Sequence, residues 1–184
     1  MIVPILAQFF YDEIDSGFIS SGVVTIIFGV LFFLSNLDHN KKLNLPQAFL
    51  LTALSWLSIA IFGSLPFIFS STELSFTNAF FESMSGITTT GSTIITNLNE
   101  TPKAILLWRA MLQWLGGIGI IVMAITLMPI MNIGGMQLFV ISTSNTPEKI
   151  LPKSKEISVR LILVYIALTI FCAIFYKIFG MGFF

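Results

Sequence analysis

The residues from Phe80 to Thr93 read F-F-E-S-M-S-G-I-T-T-T-G-S-T and set a polar, glycine-containing turn between two long apolar runs. Three threonines followed by glycine gather carbonyl and hydroxyl oxygens within a few residues, the ligand set that replaces the water shell of a dehydrated cation. Irregular backbone is tolerated at membrane depth only where it lines a cavity or is buried in protein. The chemistry that suits the turn is therefore cation ligation by oxygen, along one side of a permeation path.

Such a turn needs a helix to aim it and long spans to hold it. Phe76 to Ile87 carries apolar residues with small ones interspersed, the pattern of a short helix that enters the membrane and turns back. Thr77 is its expected N-cap, and its C-terminal carbonyls, the negative end of the helix dipole, would point at the turn. That polarity suits a cation. Gly91 frees the backbone for dihedrals closed to other residues, so that its carbonyl can be turned toward an axis. The same residues also fit an interfacial helix followed by an ordinary Thr/Gly loop, and composition and spacing do not separate the two arrangements.

A helix crossing about 30 Å of hydrocarbon needs roughly 20 apolar residues. Gly17 to Ser35, Gln47 to Phe69, Ala104 to Met131 and Val159 to Phe179 qualify. Ile2 to Phe10 is too short to cross alone and reads as the tail of a helix whose beginning is missing. Thr101 is the expected N-cap of the third span, with Pro102 at the first helical position, where a missing N–H costs nothing. Pro46 precedes the second span, and Pro66 near its far end is expected to kink or fray the last turn.

Composition points the same way. Of 184 residues, 55% are hydrophobic and 10% charged, with 19 Phe and a mean hydropathy of +0.93, whereas a soluble domain carries roughly 25% charged residues. The expected fold is an all-α, multi-pass integral membrane protein in contact with the lipid bilayer. Net charge is zero and no basic stripe marks a nucleic-acid surface. Cys172, the single cysteine, lies in an apolar run and reads as a small buried or lipid-facing residue, with no intrachain disulfide or thiol cluster open to it. The start Met1-Ile2-Val3-Pro4 lacks a basic n-region, so no removable signal peptide is expected. There is no nucleophile with a base at recognisable spacing, no metal-ligand cluster and no phosphate loop, which argues against an enzyme and against a cofactor in this chain.

Basic residues of short loops set orientation. Lys41, Lys42, Lys149, Lys153, Lys155 and Arg160 fall in or beside the connections 36–46 and 132–158, which are expected on the cytoplasmic side. Asp12, Glu13, Asp15, Glu73 and Glu100 then lie on the opposite face, where they would concentrate cations at an entrance or simply be solvated. Two charges fall within the membrane region itself. Glu82 on the short helix and Arg109 in the third span either pair, sparing each other an uncompensated charge at apolar depth, or separate, with Arg109 snorkelling outward and Glu82 facing an aqueous vestibule. Gly116, Gly117 and Gly119 let another backbone approach the third span. Trp108, near a helix end, reads as an interfacial anchor. His39 has no second metal ligand nearby and is assigned no site.

The ordered series S-W-L, F-G-S-L-P, F-F-E-S-M-S-G-I-T-T-T-G-S-T, L-L-W-R-A-M-L-Q-W-L-G-G-I-G-I-I-V and G-G-M-Q-L-F, between Ala53 and Phe139, resembles the first pore-forming unit of the Trk/Ktr potassium uptake family, in its TrkH-type membrane subunit. The resemblance implies a potassium-channel-like fold of four non-identical membrane helix–pore loop–membrane helix units around one central pore, preceded by two extra helices. It divides the chain into residues 1–46, the two extra helices with the first incomplete; 47–131, the first outer helix, pore helix, filter and inner helix; 132–158, a cytoplasmic loop; and 159–184, the outer helix of an incomplete second unit. It makes Thr88, Thr89, Thr90, Gly91 and Ser92 the filter ligands, with K+ bound at Thr88, Thr89, Thr90 and Gly91. Glu82 and Arg109, read from their charge and depth alone, are the candidate pore-supporting pair.

The function so implied is potassium transport across the cell (inner) membrane, down the ion's electrochemical gradient. The implied partner is a TrkA-type cytoplasmic nucleotide-binding regulatory subunit, which could dock on Lys149, Lys153 and Lys155. One strand supplies one quadrant of an ion site, so the missing pore units or a companion chain are also implied. The chain stops at Gly182-Phe183-Phe184, where a second pore loop should begin, and so reads as a truncated product or one piece of a split protein. The T-V-G-Y-G string of other potassium channels is absent. A poorly selective K+/Na+ path, and a non-conducting fragment or membrane scaffold, are the alternative readings.

Overall fold

A computed structural model of the chain describes residues 1–11, 15–35, 45–98, 100–131 and 150–181. Asp12, Glu13, His39, Lys41, Lys42 and Lys149 lie outside the described residues. The described residues fold into helices α1 (Ile2–Tyr11), α2 (Gly17–Ser35), α3 (Leu45–Phe69), α4 (Phe76–Ile87), α5 (Lys103–Met131) and α6 (Ile150–Ile178). Gly17–Ser35, Pro46–Phe69, Lys103–Ala124 and Glu156–Ile178 are long and apolar enough to cross a membrane, as expected of an all-α membrane protein. The chain forms two compact units, Met1–Gly117 and Ile118–Phe184.

Apolar spans carrying hydroxyls must satisfy them without water. Here they do so within each helix: Ser21 Oγ donates to Gly17 O at 2.6 Å, Thr25 Oγ1 to Ser21 O at 2.8 Å, Thr52 Oγ1 to Ala48 O at 2.8 Å and Ser55 Oγ to Leu51 O at 2.7 Å. The polar residues of α2 and α3 therefore do not interrupt them. Large apolar side chains on both helices remain exposed, which hydrocarbon solvates where water would not.

In the first unit, α2 packs on α1 and α3, and α3 packs on α4. Phe18, Phe67, Ala79, Ala104, Ile105, Trp108 and Leu112 form its buried core. Trp108 is not an interfacial anchor. It is 7% exposed, meets Phe18 edge-on at 6.3 Å between ring centroids, and donates its indole N–H to Gly63 O at 2.9 Å. The acceptor lies one turn before Pro66, which has no N–H to give to Phe62 O, so the indole reinforces α3 beside the position where its own ladder loses a donor. The helix runs on through Pro66 to Phe69, with Ser70 N donating to Pro66 O at 3.1 Å.

Asp15 is a stitch between elements as well as an acidic residue of a connection. Its Oδ1 accepts from Gly17 N and its Oδ2 from Ser71 N, each at 2.8 Å, joining the start of α2 to the segment after α3. A Cβ on Gly17 would lie 2.6 Å from Phe69 backbone atoms, so only glycine admits this approach.

Three local expectations are corrected. Ser75, not Thr77, caps α4, its side chain accepting from Asn78 N; the cap falls two residues earlier than expected, which leaves Thr77 inside the first turn. Thr101 does not cap α5: Pro102 O takes the first helical bonds from Ile105 N and Leu106 N, and the Thr101 hydroxyl donates to Asn97 O at 2.9 Å. The last helix starts at Ile150 rather than Val159, so Lys153, Lys155 and Arg160 are helical. Pro152 falls in the first turn, where it is tolerated, and Lys, Ser, Lys and Glu then carry the helix forward to the apolar span. In the second unit Cys172 is exposed.

Candidate cation-binding site

Helix α4 ends where its polar sequence begins. Thr88 N donates to Met84 O, Thr89 N to Gly86 O, and both Thr90 N and Gly91 N to Ser85 O, at 2.9 to 3.2 Å. Consecutive amides thus fold back onto the helix end and satisfy its terminal carbonyls. With their amides turned inward, the carbonyls of Thr88, Thr89 and Thr90 accept no hydrogen bond among the described residues, and residues 88–94 are exposed. These oxygens lie on an exposed segment.

The reversal needs unusual backbone. Gly91 has φ +77°, and Thr89, a β-branched residue, has φ +59°, a conformation that such residues rarely hold and that clusters at functional sites. The threonine hydroxyls are tied locally, Thr88 Oγ1 donating to Met84 O at 2.8 Å and lying 2.9 Å from Thr90 Oγ1.

Behind the strand, Glu82 is fully buried on α4 and forms an ion pair with Arg109 of α5 through Oε1 and Nε. Glu82 Oε2 accepts from Ile94 N at 3.1 Å. Arg109 Nη2 donates to Gly91 O at 2.9 Å and to Ser92 O at 3.1 Å, while Ser85 Oγ donates to Ser92 O at 2.6 Å. Of the residues expected to act as ligands, Thr88, Thr89 and Thr90 have carbonyls without an internal partner, whereas those of Gly91 and Ser92 each accept from Arg109.

Close helix packing fixes this arrangement. A Cβ on Gly86 would lie 3.0 Å from Leu112 Cβ, and one on Gly116 would lie 1.9 Å from Ile87 O, so α5 meets the end of α4 backbone to backbone. Ser85, Gln113 and the Ile94 amide were not singled out in the sequence. Gln113 Nε2 sits 3.0 Å from where a Gly91 Cβ would be; its spacing of four from Arg109, on one helix face, is the signal that points to it. Among the described residues no group of three or more His, Cys, Asp or Glu side chains could hold a metal ion.

The profile described as "TrkH: Cation transport protein" matches residues 14–181. The chain belongs to the TrkH cation transport family. It is 38% identical over 183 residues to the Trk system potassium uptake protein TrkI of Halomonas elongata, covering 99% of this chain and 37% of that protein. It is 40% identical over 178 residues to the Trk system potassium uptake protein TrkH of Escherichia coli, covering 95% of this chain and 37% of that one. The crystal structure of the potassium transporter TrkH from Vibrio parahaemolyticus superposes with a TM-score of 0.83 at 37% identity, over 98% of this chain and 36% of that chain. This TrkH-family chain therefore spans little more than a third of the length of the relatives it matches. The family is one of transporters, and the apolar spans make the chain a multi-pass protein of the cell membrane.

Proposed function

We propose that this chain provides one side of the potassium pathway of a TrkH-type uptake system, with dehydrated K+ ligated by the backbone oxygens of Thr88, Thr89 and Thr90, while those of Gly91 and Ser92, also expected as ligands, are held by Arg109. The observation that carries the reading is the exposed segment after α4. Its amides turn back to Met84, Ser85 and Gly86, and its first three carbonyls are left for a ligand outside the unit. Carbonyl rings replace the hydration shell of K+ in this way. The names of the relatives support potassium as the ion.

On this reading residues 47–131 are the first outer helix, pore helix, filter and inner helix, and residues 1–46 are the extra helices. Residues 132–158 face the cytoplasm, where Lys149, Lys153 and Lys155 receive a TrkA-type nucleotide-binding regulator, and residues 159–184 open a second unit. The ion site is completed by further pore units, since one strand covers one quadrant. The test is rubidium uptake in a bacterium lacking its own potassium uptake, with the chain expressed alone and beside a second chain supplying the remaining units. Uptake that needs both chains and is abolished by Gly91→Arg supports the reading. Uptake that is indifferent to Gly91→Arg overturns it.

A further inference from the structure

We infer that the Glu82–Arg109 pair is a clamp that holds the outer half of the filter strand in register and so sets its discrimination between K+ and Na+. The inference rests on the potassium reading above and assigns Arg109 as a positioning residue that touches no ion.

Four backbone atoms of the strand Gly91–Ile94 enter the argument. Arg109 Nη2 holds two of them, the oxygens of Gly91 and Ser92. Glu82 Oε2 holds a third, the amide of Ile94. The fourth, the amide of Gly91, goes to Ser85 O at 3.2 Å. The carboxylate and the guanidinium face each other through Oε1 and Nε, so the segment is fastened at Gly91, Ser92 and Ile94 to a single ionic unit. Glu82 is 0% exposed and Arg109 15% exposed at the side chain, and an ion pair held at such depth is broken at high cost when one partner is removed.

Ion discrimination depends on where carbonyls can sit. A strand free to contract can close around a smaller cation, whereas one whose carbonyls are held apart cannot; cavity size and carbonyl field both depend on that constraint. Arginine is required by geometry as well as charge. Its planar fork presents Nε to the carboxylate while Nη2 reaches the two carbonyls, which the point charge of lysine cannot do at once. Lys at 109 would keep the charge balance with Glu82 and release the Gly91 carbonyl, leaving Ser92 O to Ser85 Oγ alone.

The experiment uses a hybrid in which this chain replaces the matching segment of the Vibrio parahaemolyticus protein, with rubidium and sodium uptake measured in the same cells and hydrogen exchange followed across Gly91–Ile94. Arg109→Lys is expected to lower the rubidium-to-sodium uptake ratio about tenfold and to speed exchange in that segment, with Glu82→Gln changing both in the same direction. An unchanged ratio overturns the clamp, as does proportional loss of both ions, which would leave Arg109 a folding role alone. Unchanged exchange at Gly91–Ile94 overturns it as well. If the unsubstituted hybrid takes up no rubidium, the potassium reading fails, and the exchange measurement still decides the clamp.

Discussion

Replacing Gly116 by alanine puts the central packing contact to the test. The new Cβ would stand 1.9 Å from Ile87 O and 2.7 Å from its carbonyl carbon. Ordinary contact begins near 3.4 Å, so α5 or the end of α4 must give way by roughly 1.5 Å in an interior that has little free volume. Overpacking costs about 1–3 kcal/mol when side chains can rearrange. Here the obstacle is helix-end backbone, which puts the cost at about 3 kcal/mol, or about two orders of magnitude in the folding equilibrium. Ile87 immediately precedes Thr88, so the displacement is passed to the strand. In the hybrid protein, thermal unfolding in a bilayer mimic should show a lowered midpoint. Rubidium uptake per molecule, measured where the protein is still folded, should fall at least tenfold. Gly29→Ala is the control, because a Cβ there meets nothing within 4 Å, and it should leave uptake unchanged and the midpoint no lower than the parental one. A Gly116→Ala protein with the parental midpoint and parental uptake would refute the backbone-to-backbone contact.

Trp108→Phe keeps the edge contact with Phe18 but removes the donor to Gly63 O, and should cost about 1 kcal/mol of stability in denaturant unfolding. Asp15→Ala deletes the acceptor of the Gly17 and Ser71 amides and should cost about 1–2 kcal/mol, checked by the same unfolding assay. For the buried pair, Glu82→Gln and Arg109→Gln should each destabilise, and the double variant should destabilise by less than the sum of the two. A coupling energy near zero in that cycle would dissolve the pair.

Much of the architecture is legible because apolar length is a local property. Gly17 to Ser35 is marked at both ends by the loss of apolar residues and coincides with α2. The short helix before the threonines is legible for the same reason, to within two residues of its start. Caps are harder. Ser75 and Thr77 are both good N-caps in isolation, and the choice between them depends on the turn that brings the chain from α3. The start of α6 is not legible because its first turns are polar, and hydropathy registers the membrane rather than the helix.

Within the site, Glu82 and Arg109 drew notice as opposite charges at apolar depth. That Arg109 also holds Gly91 and Ser92 was not legible, since it depends on the backbone reversal after Ile87 and not on residue type. Trp108 illustrates the same limit: its partner Gly63 O is a main-chain atom 45 residues away, which no periodicity reports.

The most direct test of the account is to see the ion. Rubidium- or thallium-soaked crystals of the hybrid should give anomalous peaks beside the carbonyl oxygens of Thr88, Thr89 and Thr90, and the peaks should vanish in Gly91→Arg. Peaks elsewhere, with none along this strand, would contradict the claim that these oxygens line the path.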